Sequence, residues 1–207
     1  MARIVSPPVD EIVARELDAS LATIRALHAD TAYRQTIGRV GMAFVDCMRR
    51  GNTLLFAGNG GSAADSQHIS GELVSRFKFN RPGLPALALT VDTSIITAIG
   101  NDYGYDKVFS RQIEAIGRAG DIFVAISTSG NSPNILAGIE AAKGKGIMVV
   151  GMTGAKGGKM KALCDECLCV PSNETPRIQE GHLATYHLLC GLMEEVLFPD
   201  FKPSSAT

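Results

Sequence analysis

The residue pair best suited to chemistry is His68 and Glu72, which stand four positions apart in the sequence. On a helix, side chains at this spacing lie on the same face. A histidine and a glutamate placed in this way can bind a divalent metal ion together, or the carboxylate can act as a general base. An exposed polar face without a function is the plainer interpretation of such a pair. The residues around the pair must therefore decide whether it has a chemical role.

A glycine-rich stretch, residues 58–62, precedes the pair by a few positions. Glycine lets backbone N–H groups approach a ligand without a Cβ atom in the way, and the start of a helix adds N–H donors and the positive end of its dipole. The apolar run 53–57 predicts a buried strand before this turn. The surroundings therefore favour a catalytic or metal-binding role for the pair.

The same stretch also matches a relaxed dinucleotide fingerprint through Gly58, Gly60 and Ala63. That fingerprint requires an acidic residue about 20 positions further on, at the end of the second strand, and Asp92 comes later than this. The stretch also lacks the lysine of a nucleotide-binding P-loop. A dinucleotide is therefore the weaker interpretation.

Hydroxyl side chains follow the third predicted strand and precede a helix that Pro133 is suited to begin. Hydroxyl and backbone N–H groups at a helix N-terminus can hold a phosphate without a nearby cation. A single serine would be enough for an ordinary helix cap, so a cluster of hydroxyls favours a phosphate site, with Asn59 and Ser62 facing the sugar. The hydroxyl residues are Ser127, Thr128, Ser129 and Ser132.

The last predicted helix carries two histidines, His182 and His187, together with Gln179 and Glu180. Their spacing does not decide which histidine belongs to a site, because a lone histidine in an apolar stretch is more often a satisfied core residue.

The cysteines at positions 164, 167 and 169 suggest a second zinc site, but no further cysteine pair or nearby histidine completes a ligand set. They overlap a predicted strand, where free cysteine packs as a small hydrophobic residue, and we prefer that interpretation. The chain has five cysteines, and an odd number does not fit a disulfide framework. Since the N-terminus also lacks the apolar core of a signal peptide, we expect a cytoplasmic location.

Composition and charge argue against several classes of protein. The chain has 207 residues and a formal net charge of −1, with no basic block, so we expect no nucleic-acid partner and no membrane partner. No apolar run approaches the roughly 20 residues of a membrane helix. The length suits a single domain, with N-terminal helices over 1–50, an α/β core over 51–198 and a tail over 199–207.

Hydrophobic periodicity predicts two N-terminal helices, of which the first has an apolar stripe from Ile12 to Leu27. These helices could cover the sheet or exchange with another subunit. Strands alternate with helices afterwards, which indicates a three-layer αβα sandwich with a parallel sheet and places both polar loops at its carboxyl edge. The expected strands are 53–57, 86–90, 121–126, 147–150 and 166–170. After the first strand we expect a helix that ends near residue 76, followed by helices over 92–99, 107–118 (after a break at 100–105), 133–145 and 176–198.

Four motifs occur in order along the chain, at 57–68, 100–104, 127–132 and 177–182. Together they resemble the bacterial phosphoheptose isomerases, also called sedoheptulose 7-phosphate isomerases, of the sugar-isomerase (SIS) domain superfamily. The first and third motifs indicate only the superfamily, whereas all four in order are far more specific. The resemblance covers residues 51–198 and implies an α/β fold with a five-stranded parallel sheet of the flavodoxin-like kind.

The resemblance implies interconversion of sedoheptulose 7-phosphate and D-glycero-D-manno-heptose 7-phosphate through an enediol, for heptose and lipopolysaccharide biosynthesis. Such a reaction requires a base, an acid and a phosphate anchor. By this resemblance Glu72 is the base and His187 is its acid/base partner. The matching substrate-binding residues are Asn59, Gly60, Ser62, Glu72, Asn101, Asp102, Ser127, Thr128, Ser129, Ser132 and Gln179.

The resemblance also implies one zinc ion per subunit and a homotetramer with shared active sites, to which the N-terminal helices would contribute. Zinc would make Glu72 a poorer free base, because the metal stabilises its anion, so the role of this carboxylate in turnover stays open. Pro176 replaces an acidic residue of some family members, and a substrate contact from that position does not transfer. The implied metal ligands are His68, Glu72, Gln179 and His187.

The main alternative is a non-catalytic SIS-domain protein that binds a sugar phosphate as a regulator, or a replication initiator as a scaffold. Such proteins can keep the glycine and serine loops and lose the carboxylate and histidine. The presence of both Glu72 and His187 favours an enzyme. An isomerase of another sugar phosphate is the third possibility.

Overall fold

The computed structural model describes residues 8–202 of the chain. It has the two expected N-terminal helices, α1 (Val9–Ala29) and α2 (Thr31–Arg49). The strands are β1 (Leu54–Ala57), β2 (Ala86–Ala88), β3 (Ile122–Ile126), β4 (Met148–Gly154) and β5 (Glu166–Val170). The other helices are α3 (Gly61–Val74), α4 (Thr93–Tyr103), α5 (Ser110–Ile116), α6 (Pro133–Gly144) and α7 (Thr175–Leu197).

The five strands form one parallel sheet in the order β2-β1-β3-β4-β5. This is the flavodoxin-like order, and it confirms the predicted fold class. The chain leaves β1 for β2 on one side and returns to form β3 on the other side of β1. The loops after β1 and β3 therefore lie next to each other at the carboxyl edge, where ligands bind in such sheets.

Successive strand residues face opposite sides of the sheet and build two separate cores. Leu54 and Phe56 pack with residues of α2, α3 and α7 on one side. Leu55 and Ala57 pack with residues of α5 and α6 on the other. Because β1 is enclosed from both sides, the glycine-rich loop that follows it leaves from a fixed position.

Several element boundaries differ from the sequence-based expectation. The predicted break at Gly100 is wrong: α4 continues to Tyr103, because the glycine with a positive φ that follows it is Gly104, at 89°. The next helix, α5, is correspondingly shorter and follows a 3-10 turn at Tyr105–Lys107. β4 extends to Gly154 because it pairs with β5 that far. The predicted tail begins with a 3-10 turn at Pro199–Phe201, and the part of it after residue 202 lies outside the described residues.

The helix α1 differs from α2 in how it is covered. Whereas α2 packs on the sheet, α1 is attached mainly near its C-terminal end and through Arg177, which donates hydrogen bonds to the Glu16 carbonyl and the Ser20 hydroxyl. The apolar stripe of α1 is largely exposed: Val13 50%, Leu17 59%, Leu21 51% and Ile24 41%. Nevertheless, no helix between residues 8 and 202 combines the length and hydropathy of a membrane span.

Candidate active site

The turn between β1 and α3 depends on its glycines. Gly60 has a φ of 55°, a conformation that side-chain-bearing residues rarely adopt. At Gly58, an added Cβ atom would lie 2.4 Å from the carbonyl oxygen of Ser62. The chain can therefore turn tightly and begin α3 at Gly61, the strand–turn–helix arrangement predicted for this stretch.

His68, Glu72 and His187 meet between α3 and α7. The Nε2 atom of His68 lies 3.0 Å from Oε1 of Glu72. The ring centroids of His68 and His187 are 5.1 Å apart. One ligand atom from each of the three residues lies within 4.8 Å of the other two. The structure thus brings together three of the residues predicted for catalysis and metal binding.

Aromatic side chains surround this cluster. The Phe77 ring stacks on His187 with a centroid distance of 5.2 Å, and the Tyr186 hydroxyl lies 2.8 Å from Nδ1 of His68. Burial lowers the pKa of His187, and the nearby His68 lowers it further, while Glu72 opposes the shift. His187 is therefore neutral near pH 7 and can exchange a proton with a substrate oxygen.

Asp65 lies one turn before His68 on the same face of α3. Burial raises the pKa of its carboxyl to about 6, and the nearby His68 opposes this shift. Its Oδ2 atom is buried and has no hydrogen-bond partner within the described residues. Asp65 is not among the residues predicted from the sequence, although its i, i+3 spacing to His68 is a signal for it.

The structure does not bring Gln179 into the cluster. Its amide nitrogen lies against the start of α3, where a Cβ atom added at Gly61 would be only 2.1 Å from Nε2. Gln179 and His187 are eight residues apart on α7, which corresponds to about 12 Å along a helix axis. The four metal ligands implied by resemblance therefore do not converge within one chain; His68, Glu72 and His187 do.

Arg81 closes the C-terminal end of α3 beside the cluster. Its guanidinium donates hydrogen bonds to the carbonyl oxygens of Glu72 at 2.8 Å and Leu73 at 2.6 Å. These carbonyls lie in the last turn, where a helix offers no N–H partners of its own. Arg81 thereby fixes the backbone that carries Glu72.

In the serine loop, which comprises residues 127–132, serine hydroxyls lie close to one another. The Ser127 hydroxyl oxygen lies 2.9 Å from that of Ser132 and 3.4 Å from that of Ser129. Although Ser132 is the N-cap residue of α6, its side chain makes no capping hydrogen bond. A simple helix cap therefore does not account for these residues. Thr128 and Ser129 also line a neighbouring cavity of about 270 Å³.

A second glycine turn supports the serine loop from behind. A Cβ atom at Gly158 would lie 2.5 Å from the carbonyl oxygens of both Ser129 and Gly130. The backbone N–H of Met160 also donates to the Gly130 carbonyl at 3.0 Å. Gly157 and Gly158, at φ values of 70° and 57°, allow this close approach.

Asn59 connects the two loops. Its side-chain amide exchanges two hydrogen bonds with that of Asn134 on α6, at 2.9 and 2.8 Å. The Tyr105 hydroxyl also donates to Asn59 Oδ1 at 3.1 Å. Asn134 and Tyr105 are not among the predicted site residues, and no periodic pattern marks either of them.

Asn101 and Asp102 lie exposed on α4, where the Asn101 amide donates to the Asp102 carboxylate at 2.8 Å. Within residues 8–202, no hydrogen bond joins either of them to the glycine loop, the serine loop or the histidine cluster. These two predicted substrate-binding residues are therefore not tied to the other predicted site residues by hydrogen bonds within the described part of the chain.

The structure separates the two histidines of α7. His182 is fully buried, and its Nε2 lies 3.2 Å from the Thr153 carbonyl oxygen. Burial lowers the pKa of His182 to about 4, although this contact opposes the shift. His182 is therefore a neutral core residue, whereas His187 belongs to the cluster.

The cysteine cluster behaves as packed thiols. The Sγ atoms of Cys167 and Cys169 are 3.8 Å apart, and both residues are free. A hydrogen bond with Cys164, together with burial, raises the pKa of Cys167 to about 12, although Cys169 opposes the shift. Such thiols are poor sources of thiolate, which fits the preferred interpretation as small hydrophobic residues.

Comparison with known proteins agrees with the fold. Residues 18–154 match the family model for the SIS domain, which defines the class of this protein. In this chain the two polar loops follow the neighbouring strands β1 and β3. Phosphoheptose isomerase from Aneurinibacillus thermoaerophilus is 54% identical over 92% of this chain and 96% of its own length. The chain belongs to the phosphoheptose isomerase family.

Two further relatives agree with this assignment. Phosphoheptose isomerase from Burkholderia pseudomallei (strain 1710b) is 58% identical over 84% of this chain and 88% of its own length. The solved phosphoheptose isomerase from Neisseria gonorrhoeae superimposes with a TM-score of 0.85 at 39% identity, covering 91% of this chain and 100% of that one. The shared family favours an isomerase over a non-catalytic SIS-domain protein.

Proposed function

We propose that this chain is an aldose–ketose isomerase that converts sedoheptulose 7-phosphate to D-glycero-D-manno-heptose 7-phosphate for heptose biosynthesis. The observation that carries the proposal is the cluster of His68, Glu72 and His187, whose ligand atoms lie within 4.8 Å of one another in a member of the phosphoheptose isomerase family. The cluster supplies a carboxylate and a neutral imidazole side by side, which are the groups that an enediol mechanism requires.

In this mechanism Glu72 is the base. Its carboxylate takes a proton from C1 of the ketose and returns a proton to C2, through an enediol. His187 exchanges protons with the oxygens, so that O2 gains a proton while O1 loses one. The net change moves hydrogen between adjacent positions of one molecule, and no external oxidant or reductant is needed.

We assign the substrate phosphate to the serine loop. Its hydroxyls lie at the N-terminus of α6, where the helix dipole favours an anion, and none of them is used as a helix cap. Asn59, Gly60 and Ser62 would contact the sugar from the glycine loop. The phosphate-binding residues in this proposal are Ser127, Thr128, Ser129 and Ser132.

The cluster also fits a zinc ion. Two histidines and a carboxylate are the protein donors of a well-known kind of catalytic zinc site, which keeps a position open for substrate. His68, Glu72 and His187 would hold the ion, which would supply a Lewis acid for the substrate carbonyl, and Glu72 and His187 would carry protons only while not bound to it. Because Gln179 lies at Gly61 in its own chain, a ligand role for Gln179 requires the side chain of a neighbouring subunit.

We further propose a cytoplasmic homotetramer with shared active sites, in which residues 1–207 of each subunit form a single SIS domain. The exposed apolar stripe of α1 supports self-association. A groove of about 590 Å³ beside His187, partly lined by Ile37 and Phe77, supports a neighbour next to the site. Asn101, Asp102 and Gln179 would then contact substrate or metal across subunits. The five free cysteines fit a reducing compartment.

The proposal is tested by adding sedoheptulose 7-phosphate to the purified protein, with zinc supplied or with a chelator, and following the products by NMR. We expect aldose to form with zinc and little to form with the chelator. Pentulose and hexulose phosphates serve as comparison substrates. An absence of turnover of the heptulose phosphate with zinc supplied contradicts the proposal.

A further inference from the structure

Tyr186 is a fully buried residue of α7 whose hydroxyl reaches the cluster. The hydroxyl lies 2.8 Å from Nδ1 of His68, and within the described residues it makes no other hydrogen bond. The Tyr186 ring also meets His68 and His187 edge-on, at centroid distances of 5.3 and 5.0 Å. A buried phenol requires a polar partner, and here the partner is the ring nitrogen opposite the one that faces Glu72.

We infer that Tyr186 is a positioning residue, which holds the His68 ring through Nδ1 so that Nε2 faces Glu72 and the metal position. This inference rests on the proposed zinc site. A metal-binding histidine commonly hydrogen-bonds through its other ring nitrogen, and that contact fixes both the ring orientation and the tautomer. In this chain a phenol takes the place of the usual carboxylate or carbonyl.

A phenol suits this position because its hydroxyl both donates and accepts hydrogen bonds. Without metal, His68 can donate from Nε2 to the Glu72 carboxylate and accept from Tyr186 at Nδ1. If Nε2 held a metal ion, the proton of His68 would be on Nδ1, and Tyr186 would be the acceptor. The ring can therefore keep one orientation in both states.

Asp65 supplies a second observation. When Tyr186 accepts from Nδ1, its own proton needs another acceptor, and the buried Oδ2 of Asp65 has no partner within the described residues. On α3, one turn before His68, Asp65 therefore offers an unused acceptor on the helix face that carries the cluster.

The test replaces Tyr186 with Phe and measures zinc affinity by competition with a chelator. We expect about 10- to 100-fold weaker binding in Tyr186→Phe. Tyr33→Phe is the matched control, since the Tyr33 hydroxyl is also buried and lies 2.8 Å from Thr185 Oγ1 on the same helix, without contact to His68. The control should bind zinc as the wild type does.

A double-mutant cycle separates positioning from a general structural effect. If Tyr186 acts through His68, Tyr186→Phe should weaken zinc binding in the wild-type background and have no further effect in a His68→Ala background. Equal affinities of the wild type and Tyr186→Phe overturn the inference alone. Failure of the wild type to bind zinc overturns the proposed zinc site, and the inference with it.

A measurement on the wild type covers the case in which Tyr186→Phe does not fold. The chain has only four histidines, so their ring nitrogens can be assigned by ¹⁵N NMR. In the zinc-loaded wild type, we expect the proton of His68 on Nδ1 and slow exchange of that proton with solvent, because the buried phenol binds it. A proton on Nδ1 that exchanges as fast as in a free imidazole contradicts the inference.

Discussion

Arg81 and Glu194 form an ion pair that is completely buried, with 3.1 Å between Nε and Oε1 and 0% side-chain exposure for both residues. Glu194 also accepts hydrogen bonds from the backbone N–H groups of Phe77 and Lys78, at 2.8 Å each. Since Arg81 holds the end of α3 and Phe77 stacks on His187, the pair supports both helices of the cluster.

Glu194→Ala should lower the free energy of unfolding by about 3–5 kcal/mol, because it leaves the Arg81 guanidinium buried without its counter-ion. Denaturant titration measures the loss. The adjacent Glu195→Ala is the control, since its ion pair with Lys202 is exposed and its removal should cost less than about 1 kcal/mol. Similar losses in the two variants would show that the buried ion pair contributes no more to the free energy of unfolding than the exposed one.

Glu72→Gln should reduce kcat by at least about 10²–10⁴-fold, because an amide cannot take the proton from carbon. Binding of the sugar phosphate, measured by calorimetry, should change little, because the amide has nearly the same shape. Glu140→Gln, at an exposed position of α6, should leave both quantities unchanged. Retention of activity in Glu72→Gln would place the base elsewhere.

Ser129→Ala should weaken substrate binding about tenfold, since it removes one charge-assisted hydrogen bond of about 1.5 kcal/mol to the phosphate. The measurement is the affinity for sedoheptulose 7-phosphate by calorimetry. Ser94→Ala, at an exposed position of α4, is the control. An affinity equal to that of the wild type speaks against the phosphate assignment.

Buried His182 predicts a dependence of stability on pH. Its pKa in the folded chain is about 4, below the ordinary value of 6.5, so the unfolded chain binds an extra proton between these values. The contribution of neutral His182 to the free energy of unfolding is therefore complete above pH 6.5. It is lost as pH falls toward 4, and the loss amounts to about 3 kcal/mol in total.

His182→Gln tests this dependence, because glutamine can donate to the Thr153 carbonyl but does not titrate. Denaturant titrations between pH 4 and 7 should show a flatter profile for the variant than for the wild type. Parallel profiles would mean that other groups cause the acid sensitivity.

The sequence predicted the elements whose signals are local. The apolar run before Gly58 and the glycines after it were enough to place a strand, a turn and a helix with His68 and Glu72 on one face. The helix break was predicted wrongly at Gly100, because a glycine can remain inside a helix. The helix ends instead before Gly104, which has a positive φ.

The remaining contacts of the site depend on residues far apart in the chain. Tyr186 and His68 are separated by 118 positions, and Asn59 and Asn134 by 75. The choice between His182 and His187 likewise depends on which side of α7 faces the core, which the packing of α7 on the rest of the chain determines. Periodicity within one segment carries no information about such partners.

The amide pair between Asn59 and Asn134 also bears on the length of the substrate. It ties together loops that leave neighbouring strands, so their separation does not vary freely. In the proposed binding mode, with the phosphate at the serine loop and the carbonyl at Glu72, the fixed separation of the loops would set the number of carbon atoms that fit between those groups. A sugar with a shorter carbon chain would reach one of the two positions but not both.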